Sequence, residues 1–303
     1  MSKVAFLFPG QGSQFAGMGK SLVETYAEAR AVFEQADEAL GVALSKLCFE
    51  GPDEDLKKTE NTQPAILTAS VAAWAVIRAK GGRADFVAGH SLGEYSAVVA
   101  AGGLAFGDAV HLVRKRGQFM QEAVPQGVGA MAALLKLPEG ALDGILAEAA
   151  QGEVVSAANI NSPDQVVIAG HAGAVGRAME LAKAAGAKRA VPLPVSAPFH
   201  CALMKPAQER MRAELEAVEF RDLDVPLVNN WQARAVRSAE DVRRGLVEQI
   251  PNPVQWVAVL RLLAAEGVTG GYEVGPGAVL SGLVKQIEPG IEMAKRGEAK
   301  DFD

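Results

Sequence analysis

Hydrophobic positions along the chain follow two rhythms that change over near residue 127. In the first part, short apolar runs alternate with stretches of helical spacing. Val4–Phe8 is an apolar run closed by Pro9-Gly10 and reads as a strand; Gly19–Leu40 has helical spacing. Ile66–Ala79 predicts an apolar helix, and Phe86-Val87-Ala88 a short buried strand. Leu92–Ala101 reads as an Ala-rich helix stopped by Gly102-Gly103, and Asp108–Ala123 as a helix closed by Pro125 and Gly127. Strand and helix in alternation predict a parallel sheet with helices on its faces.

Beyond residue 127 the elements shorten. Ala130–Leu135 predicts a strand, Glu139–Ala150 a helix, Val154–Asn161 and Gln165–Gly170 two strands, Ala172–Ala185 a helix and Arg189–Val195 a strand. The order βαββαβ within about 70 residues is the ferredoxin-like pattern, here a small module inserted into the α/β body. Helices at Ala202–Val218 and Ala239–Gln249 and a strand at Gly271–Val274 follow, and the polar end, Gly297–Asp303, is expected to fray.

Composition narrows the function class. The chain has 303 residues, 49% hydrophobic and 22% charged, enough for one large domain or a domain with an insertion. A formal net charge of −6 with no basic stripe argues against a nucleic-acid partner. Cys48 and Cys201 are too few and unpatterned for a disulfide scaffold or a structural zinc site. No run of about eighteen apolar residues exists, and Met1-Ser2-Lys3-Val4 leads straight into a strand rather than a signal peptide. The expectation is a cytoplasmic, enzyme-sized protein with no membrane association.

Gly89-His90-Ser91-Leu92-Gly93 reads G-x-S-x-G between the short strand and the Ala-rich helix. A serine on so tight a turn has its hydroxyl pushed clear of the backbone, and the new helix aims free N–H groups at the site. An incidental serine on a glycine-flanked turn is the alternative. The serine needs a base, and His90, His111, His171 and His200 are the only histidines. His90 adjoins the serine, and neighbouring side chains on a sharp turn point apart. His111 and His171 read as solvated surface positions. His200 follows Val191–Val195 and the turn Ser196-Ala197-Pro198, where a strand ends and a helix begins. A helix N-terminus there would disfavour imidazolium and keep the ring ready to accept a proton.

Arg116 stands out on a helical wheel of Asp108–Ala123. Ala109, Leu112, Val113, Phe119, Met120 and Ala123 form one apolar stripe, and Arg116 falls in its middle. A guanidinium there cannot shed its charge and has to meet an anion, either an internal Asp or Glu or a substrate carboxylate. Pro9-Gly10-Gln11-Gly12 resembles neither nucleotide loop: Gln14 stands where a phosphate loop needs its first glycine, and Phe15 where a dinucleotide fold needs its third. Gln11, at a strand end, could instead offer a backbone N–H beside Ser91, forming with the N–H of Leu92 a two-donor oxyanion hole.

Phe8-Pro9-Gly10-Gln11-Gly12-Ser13-Gln14, Asn61-Thr62-Gln63-Pro64-Ala65 and Gly89-His90-Ser91-Leu92-Gly93-Glu94-Tyr95 resemble signatures of malonyl-CoA:acyl-carrier-protein transacylases. So do Ser196-Ala197-Pro198-Phe199-His200, Asn252-Pro253-Val254-Gln255-Trp256 and Glu273-Val274-Gly275-Pro276-Gly277, in the family's order and over nearly the whole chain. The resemblance implies a large α/β-hydrolase-like subdomain, 1–126 with 197–303, and a small ferredoxin-like one, 127–196, with the active site between them. It makes Ser91 the acylated nucleophile and His200 its base. It places the malonate-binding arginine on Arg116 and the oxyanion-hole donors on Gln11 and Leu92. Gln249 becomes the residue whose main-chain carbonyl orients the histidine, and Phe199 the aromatic that crowds branched acyl groups. No metal or redox cofactor is implied. The substrates are malonyl-CoA and the phosphopantetheine thiol of acyl carrier protein, and nothing requires more than a monomer. Lys115 and Arg189 are candidates for a local basic patch facing the acidic carrier. Three rivals remain: an acyltransferase loading a polyketide carrier, a serine thioesterase or hydrolase on the same elbow, and a docking subunit that keeps the fold without catalysis.

Overall fold

The computed structural model describes residues 2–195 and 197–302. Met1, Asp303 and the Ser196 step of the predicted turn lie outside the described residues. The strands are β1 (Lys3–Phe8), β2 (Phe86–Gly89), β3 (Gly129–Leu135), β4 (Val155–Ser162), β5 (Gln165–His171), β6 (Arg189–Pro192), β7 (Leu227–Val228), β8 (Ala235–Val236), β9 (Val268–Val274) and β10 (Glu292–Arg296). The helices are α1 (Lys20–Thr25), α2 (Ala27–Leu40), α3 (Leu44–Glu50), α4 (Asp53–Leu56), α5 (Thr59–Ala79), α6 (Gly93–Ala100), α7 (Phe106–Glu122), α8 (Ala141–Ala150), α9 (Ala172–Ala184), α10 (Lys205–Glu216), α11 (Ala239–Glu248), α12 (Trp256–Ala265) and α13 (Val279–Ile287).

The large sheet has the order β10-β9-β1-β2-β7-β8. Its strands are parallel except β8, which pairs antiparallel with β7. Strand β1 shows why both faces are covered. Phe6 and Phe8 pack into a core with residues of α2, α5, α6 and α7. Ala5 and Leu7, one residue out of phase, pack with Trp256, Leu260 and Leu283 of α12 and α13. A strand apolar on both faces is the sequence form of a helix-covered parallel sheet.

The smaller sheet is antiparallel with the order β4-β5-β3-β6. Numbered within the module this is 2-3-1-4, the ferredoxin-like arrangement. Ala132, Leu134 and Ile168 face α8 and α9 on one side. Met131, Ala133, Val167 and Ala169 on the other join the core of the large body. The chain is therefore α/β, with a parallel sheet and an inserted βαββαβ unit. Among the described residues no helix is long and apolar enough to cross a membrane.

Several predicted bounds move. The stretch Gly19–Leu40 breaks at Tyr26, whose extended backbone (φ −121°, ψ 124°) separates α1 from α2. Helix α5 begins at Thr59, not Ile66, and runs through Pro64 for 21 residues. Proline forfeits one i→i−4 bond, but Thr62, Gln63 and Pro64 are buried, and tertiary packing outweighs the local preference. Strand β6 ends at Pro192, short of Val195, and the helix expected from Ala202 opens with a 3₁₀ turn, Ala202–Met204. The tail is not frayed as far as Phe302. A 3₁₀ turn, Ala299–Phe302, is fixed by Asp301 Oδ2 accepting from the amides of Gly297 (3.0 Å) and Glu298 (2.9 Å). The Phe302 ring lies 5.7 Å from that of Tyr26.

Candidate active site

The site forms where β1 and β2, adjacent and parallel, deliver their carboxyl ends. In open α/β sheets this is where ligands bind. Past β1 the chain runs through Gly10 against the elbow after β2: a Cβ added at Gly10 would lie 2.4 Å from the His90 carbonyl oxygen. Only glycine permits that approach, and it sets Gln11 beside Ser91. Ser91 has φ 52°, the left-handed region a side-chain-bearing residue enters only when its surroundings compel it. Its amide donates to Oδ1 of Asn230 at 2.7 Å, which helps to hold the strained turn.

The Oγ of Ser91 is 2.8 Å from Nε2 of His200, and Nδ1 of His200 is 2.9 Å from the main-chain oxygen of Gln249. A carbonyl oxygen only accepts, so Nδ1 carries the proton and Nε2 presents a lone pair to the Ser91 hydroxyl. His200 is buried, and its pKa is pushed down to about 3, first by burial and then by the positive charge of Arg116. The sequence reading expected a neutral ring here. A helix, α10, does follow after a 3₁₀ turn at Ala202–Met204, but burial and the charge of Arg116 come first among the causes.

Arg116 is 1% exposed on α7. One terminal nitrogen donates to Oε1 of Gln63 at 2.8 Å; the other donates to Oε1 of Gln249 at 2.8 Å and to Oγ of Ser91 at 3.1 Å. Among the described residues it forms no direct ion pair; the buried Glu94 carboxyl lies behind Gln249, which bonds both. Its Nε has no hydrogen-bond partner among the described residues. Burial lowers its pKa, opposed by Tyr95 and Glu94.

Gln11, Gln63, His90, Ser91, Leu92, Arg116 and His200 line one pocket of about 120 Å³. Met131, Asn159, Leu193 and Val195 close it from the side of the small sheet, and Met120 and Phe199 complete its apolar wall. A larger cleft of about 590 Å³, among Phe6, Trp74, Arg78, Arg83, Ala100 and Asp224, includes neither Ser91 nor any histidine. Volume is a poor guide here; convergent polar chemistry is the better one.

The structure thus brings together Gln11, Leu92, Ser91, Arg116, Phe199, His200 and Gln249. None of the other histidines bonds to Ser91. His90 turns its Nε2 to Oδ1 of Asn161 (2.9 Å) and its ring edge to Trp256. His111 is exposed. His171 is not a solvated surface residue: half-buried, its Nδ1 accepts from the Val154 amide at 2.9 Å. Lys115 is tied to Glu214 at 2.6 Å, whereas Arg189 is exposed on β6. Three buried polar residues escaped the sequence reading as individuals: Gln63, Glu94 and Asn230. The first two lie inside the quoted motifs, but their roles depend on long-range contacts.

The acyl transferase domain family matches the chain over residues 5–295. The chain belongs to that family. It is 52% identical over 288 residues to the malonyl CoA-acyl carrier protein transacylase of Bacillus subtilis, covering 95% of this chain and 91% of that protein. It is 53% identical over 288 residues to the protein of the same name from Escherichia coli K12, covering 95% and 93%. Among solved structures it resembles an acyl carrier protein S-malonyltransferase from Vibrio cholerae, with TM-score 0.97, 48% identity and coverage of 100% and 99%. It is also similar to a malonyl-transacylase solved in complex with a type II PKS acyl-carrier protein, with TM-score 0.96, 48% identity and coverage of 99% and 97%.

Proposed function

We propose that the protein transfers the malonyl group from malonyl-CoA to the phosphopantetheine thiol of acyl carrier protein through a malonyl-Ser91 intermediate. The observation that carries the reading is Arg116: a buried guanidinium with no direct ion pair among the described residues, in hydrogen-bond contact with the candidate nucleophile. Such a group calls for a carboxylate on the substrate, next to the bond that reacts.

His200 takes the Ser91 proton on Nε2, and Oγ attacks the thioester carbon. The tetrahedral oxyanion is held by the amides of Gln11 and Leu92. The carbon–sulfur bond breaks, and coenzyme A leaves as thiol with the proton from His200. The pantetheine thiol then gives its proton to His200, attacks malonyl-Ser91 and releases Oγ, which recovers the proton. Gln249 holds the ring through its carbonyl, and Phe199 bounds the space around the malonyl methylene. Every step is an acyl or proton transfer between these groups, so no metal or redox cofactor is called for. We take 1–126 with 197–303 as the catalytic body and 127–196 as the small subdomain, and place the protein in the cytoplasm.

The neutral carbonyl behind His200, where hydrolases of this type place a carboxylate, favours thiol over water as acceptor. Mass spectrometry of the Ser91 peptide after incubation with malonyl-CoA tests the reading, together with initial-rate kinetics. Malonylated Ser91 and parallel-line kinetics are expected. An unlabelled Ser91 in folded protein would point to a docking subunit, and rapid release of free malonate without a thiol to a hydrolase. Fatty-acid and polyketide carriers assayed side by side identify the pathway served.

A further inference from the structure

One buried carboxyl stands directly behind the reacting atoms without touching them. Glu94, in the first turn of α6, is 0% exposed. Its Oε2 accepts from the Asn230 amide at 2.9 Å and from Nε2 of Gln249 at 2.9 Å. Asn230 in turn binds the elbow from both sides: its Oδ1 accepts from the Ser91 amide, and its Nδ2 donates to the Gly89 carbonyl at 2.6 Å.

The contacts of Gln249 fix which way its amide lies. Nε2 faces acceptors, Oε2 of Glu94 and the Ser91 carbonyl at 3.0 Å, while Oε1 faces the Arg116 donor. Reversed, it would set an NH₂ against the guanidinium and an oxygen against two oxygens. The main-chain carbonyl of the same residue holds His200. Gln249 therefore touches base and arginine at once, and Glu94 anchors Gln249.

We propose, on the basis of the transfer reading above, that Glu94 is a positioning residue. Acting through Gln249, it sets both the imidazole of His200 and the guanidinium of Arg116, so that one anchor aligns the base and the carboxylate clamp. The relay also explains why the guanidinium is balanced without being occupied. A carboxylate bonded directly to Arg116 would compete with that of the substrate. One amide away, Glu94 adds negative charge once it ionises, above about pH 7, and leaves the guanidinium free to bind malonate.

Glu94→Ala and Glu94→Gln test this against the wild type in three measurements: malonylation of Ser91 by malonyl-CoA, its acetylation by acetyl-CoA, and its labelling by a small alkyl fluorophosphonate. The last needs Ser91 and His200 but no carboxylate clamp. In Glu94→Gln an amide oxygen still accepts both N–H groups, so the alignment survives and the charge goes. Glu94→Ala is expected to slow fluorophosphonate labelling about tenfold or more and malonylation further, lowering the malonyl-to-acetyl ratio. At pH 8, where Glu94 is ionised in the wild type, Glu94→Gln is expected to restore labelling while raising KM for malonyl-CoA and leaving that for acetyl-CoA unchanged. Variants that lose thermal stability but keep the wild-type ratio, labelling rate and KM would overturn the proposal. Should Glu94→Ala not fold, Glu94→Gln alone decides, and an unchanged KM for malonyl-CoA overturns it. A wild type that never carries malonate on Ser91 would refute the transfer reading instead, and fluorophosphonate labelling would still judge the anchoring of His200.

Discussion

Arg116 donates to the Oγ of Ser91 across 3.1 Å, so in the resting site the cation rests on the nucleophile itself. An arriving malonyl carboxylate would draw the guanidinium to itself and leave Ser91 to His200. Arg116→Ala is therefore expected to lose malonyl transfer while keeping or gaining acetyl transfer. Breaking a buried, hydrogen-bonded charge pair costs about 3–5 kcal/mol, a factor of several hundred or more in relative rate. Acylation rates of Ser91 from malonyl-CoA and acetyl-CoA check it. An unchanged ratio would make Arg116 a structural residue.

Two buried groups should shape stability against pH in opposite senses. The pKa of His200 falls from 6.5 to about 3 on folding, so the unfolded chain binds a proton that the folded chain refuses. Its contribution is complete above about pH 6.5 and is lost as pH falls toward 3. Burial raises Glu94 from 4.5 to about 7, so its contribution is complete below about pH 4.5 and is lost as pH rises through 7. Between these limits the slopes oppose. In His200→Ala the Glu94 slope stands alone, and the melting temperature is expected to fall as pH rises from 5 to 7 more steeply than in the wild type. Thermal melts across that range decide it, and parallel curves would contradict the His200 assignment.

Arg116 was legible in the sequence because an error in periodicity is visible locally: one charge on an apolar stripe of a single helix. Ser91 and His200 were legible through their strand-to-helix positions. Glu94, Gln63 and Asn230 were not. Each is an ordinary polar residue until the fold sets Gln249 against Glu94, 155 positions away, and Arg116 against Gln63, 53 away. The two sheets were legible from alternation alone, yet β7 and β8, of two residues each, carry too little pattern to read. The start of α5 was hidden because Pro64 reads as a boundary, although packing carries the helix through it. His171 reads as a surface position in the sequence, yet at the end of β5 its ring accepts from the Val154 amide just before the paired strand β4.

Phe199 is 8% exposed and lines the same pocket as Met120, Met131, Ser91 and His200. In the proposed transfer, its ring bounds the space open to a branch on the acyl chain. One methyl group in such a pocket is worth about 1–3 kcal/mol. Methylmalonyl should thus be disfavoured less steeply than acetyl. Phe199→Ser is expected to relax the exclusion of methylmalonyl with less effect on malonyl. Competition between the two thioesters for Ser91 measures it, and an unaltered partition would remove Phe199 from the specificity wall.

The elbow's second glycine makes a prediction about the oxyanion hole. A Cβ added at Gly93 would lie 2.2 Å from the Phe8 carbonyl oxygen and 2.7 Å from that of Pro9, both backbone atoms. No side-chain rotation relieves such a contact, so in Gly93→Ala the end of β1 has to move away from the elbow. Overpacking of this kind costs about 1–3 kcal/mol or more, and the melting temperature should fall by about 2–4 °C per kcal/mol in a domain this large. The same displacement carries Gln11 away from Leu92. Oxyanion donors act in the transition state, and losing one lowers kcat by about 10²–10³. Gly93→Ala is thus expected to depress kcat for acylation with KM for malonyl-CoA nearly unchanged. Gly144 supplies the control: it is exposed within α8, with nothing within 4 Å of an added Cβ. Gly144→Ala should instead stabilise the helix by about 0.5–1 kcal/mol and leave acylation untouched. If Gly93→Ala lowered stability alone, with kcat preserved, the Gln11 amide would not be an oxyanion donor.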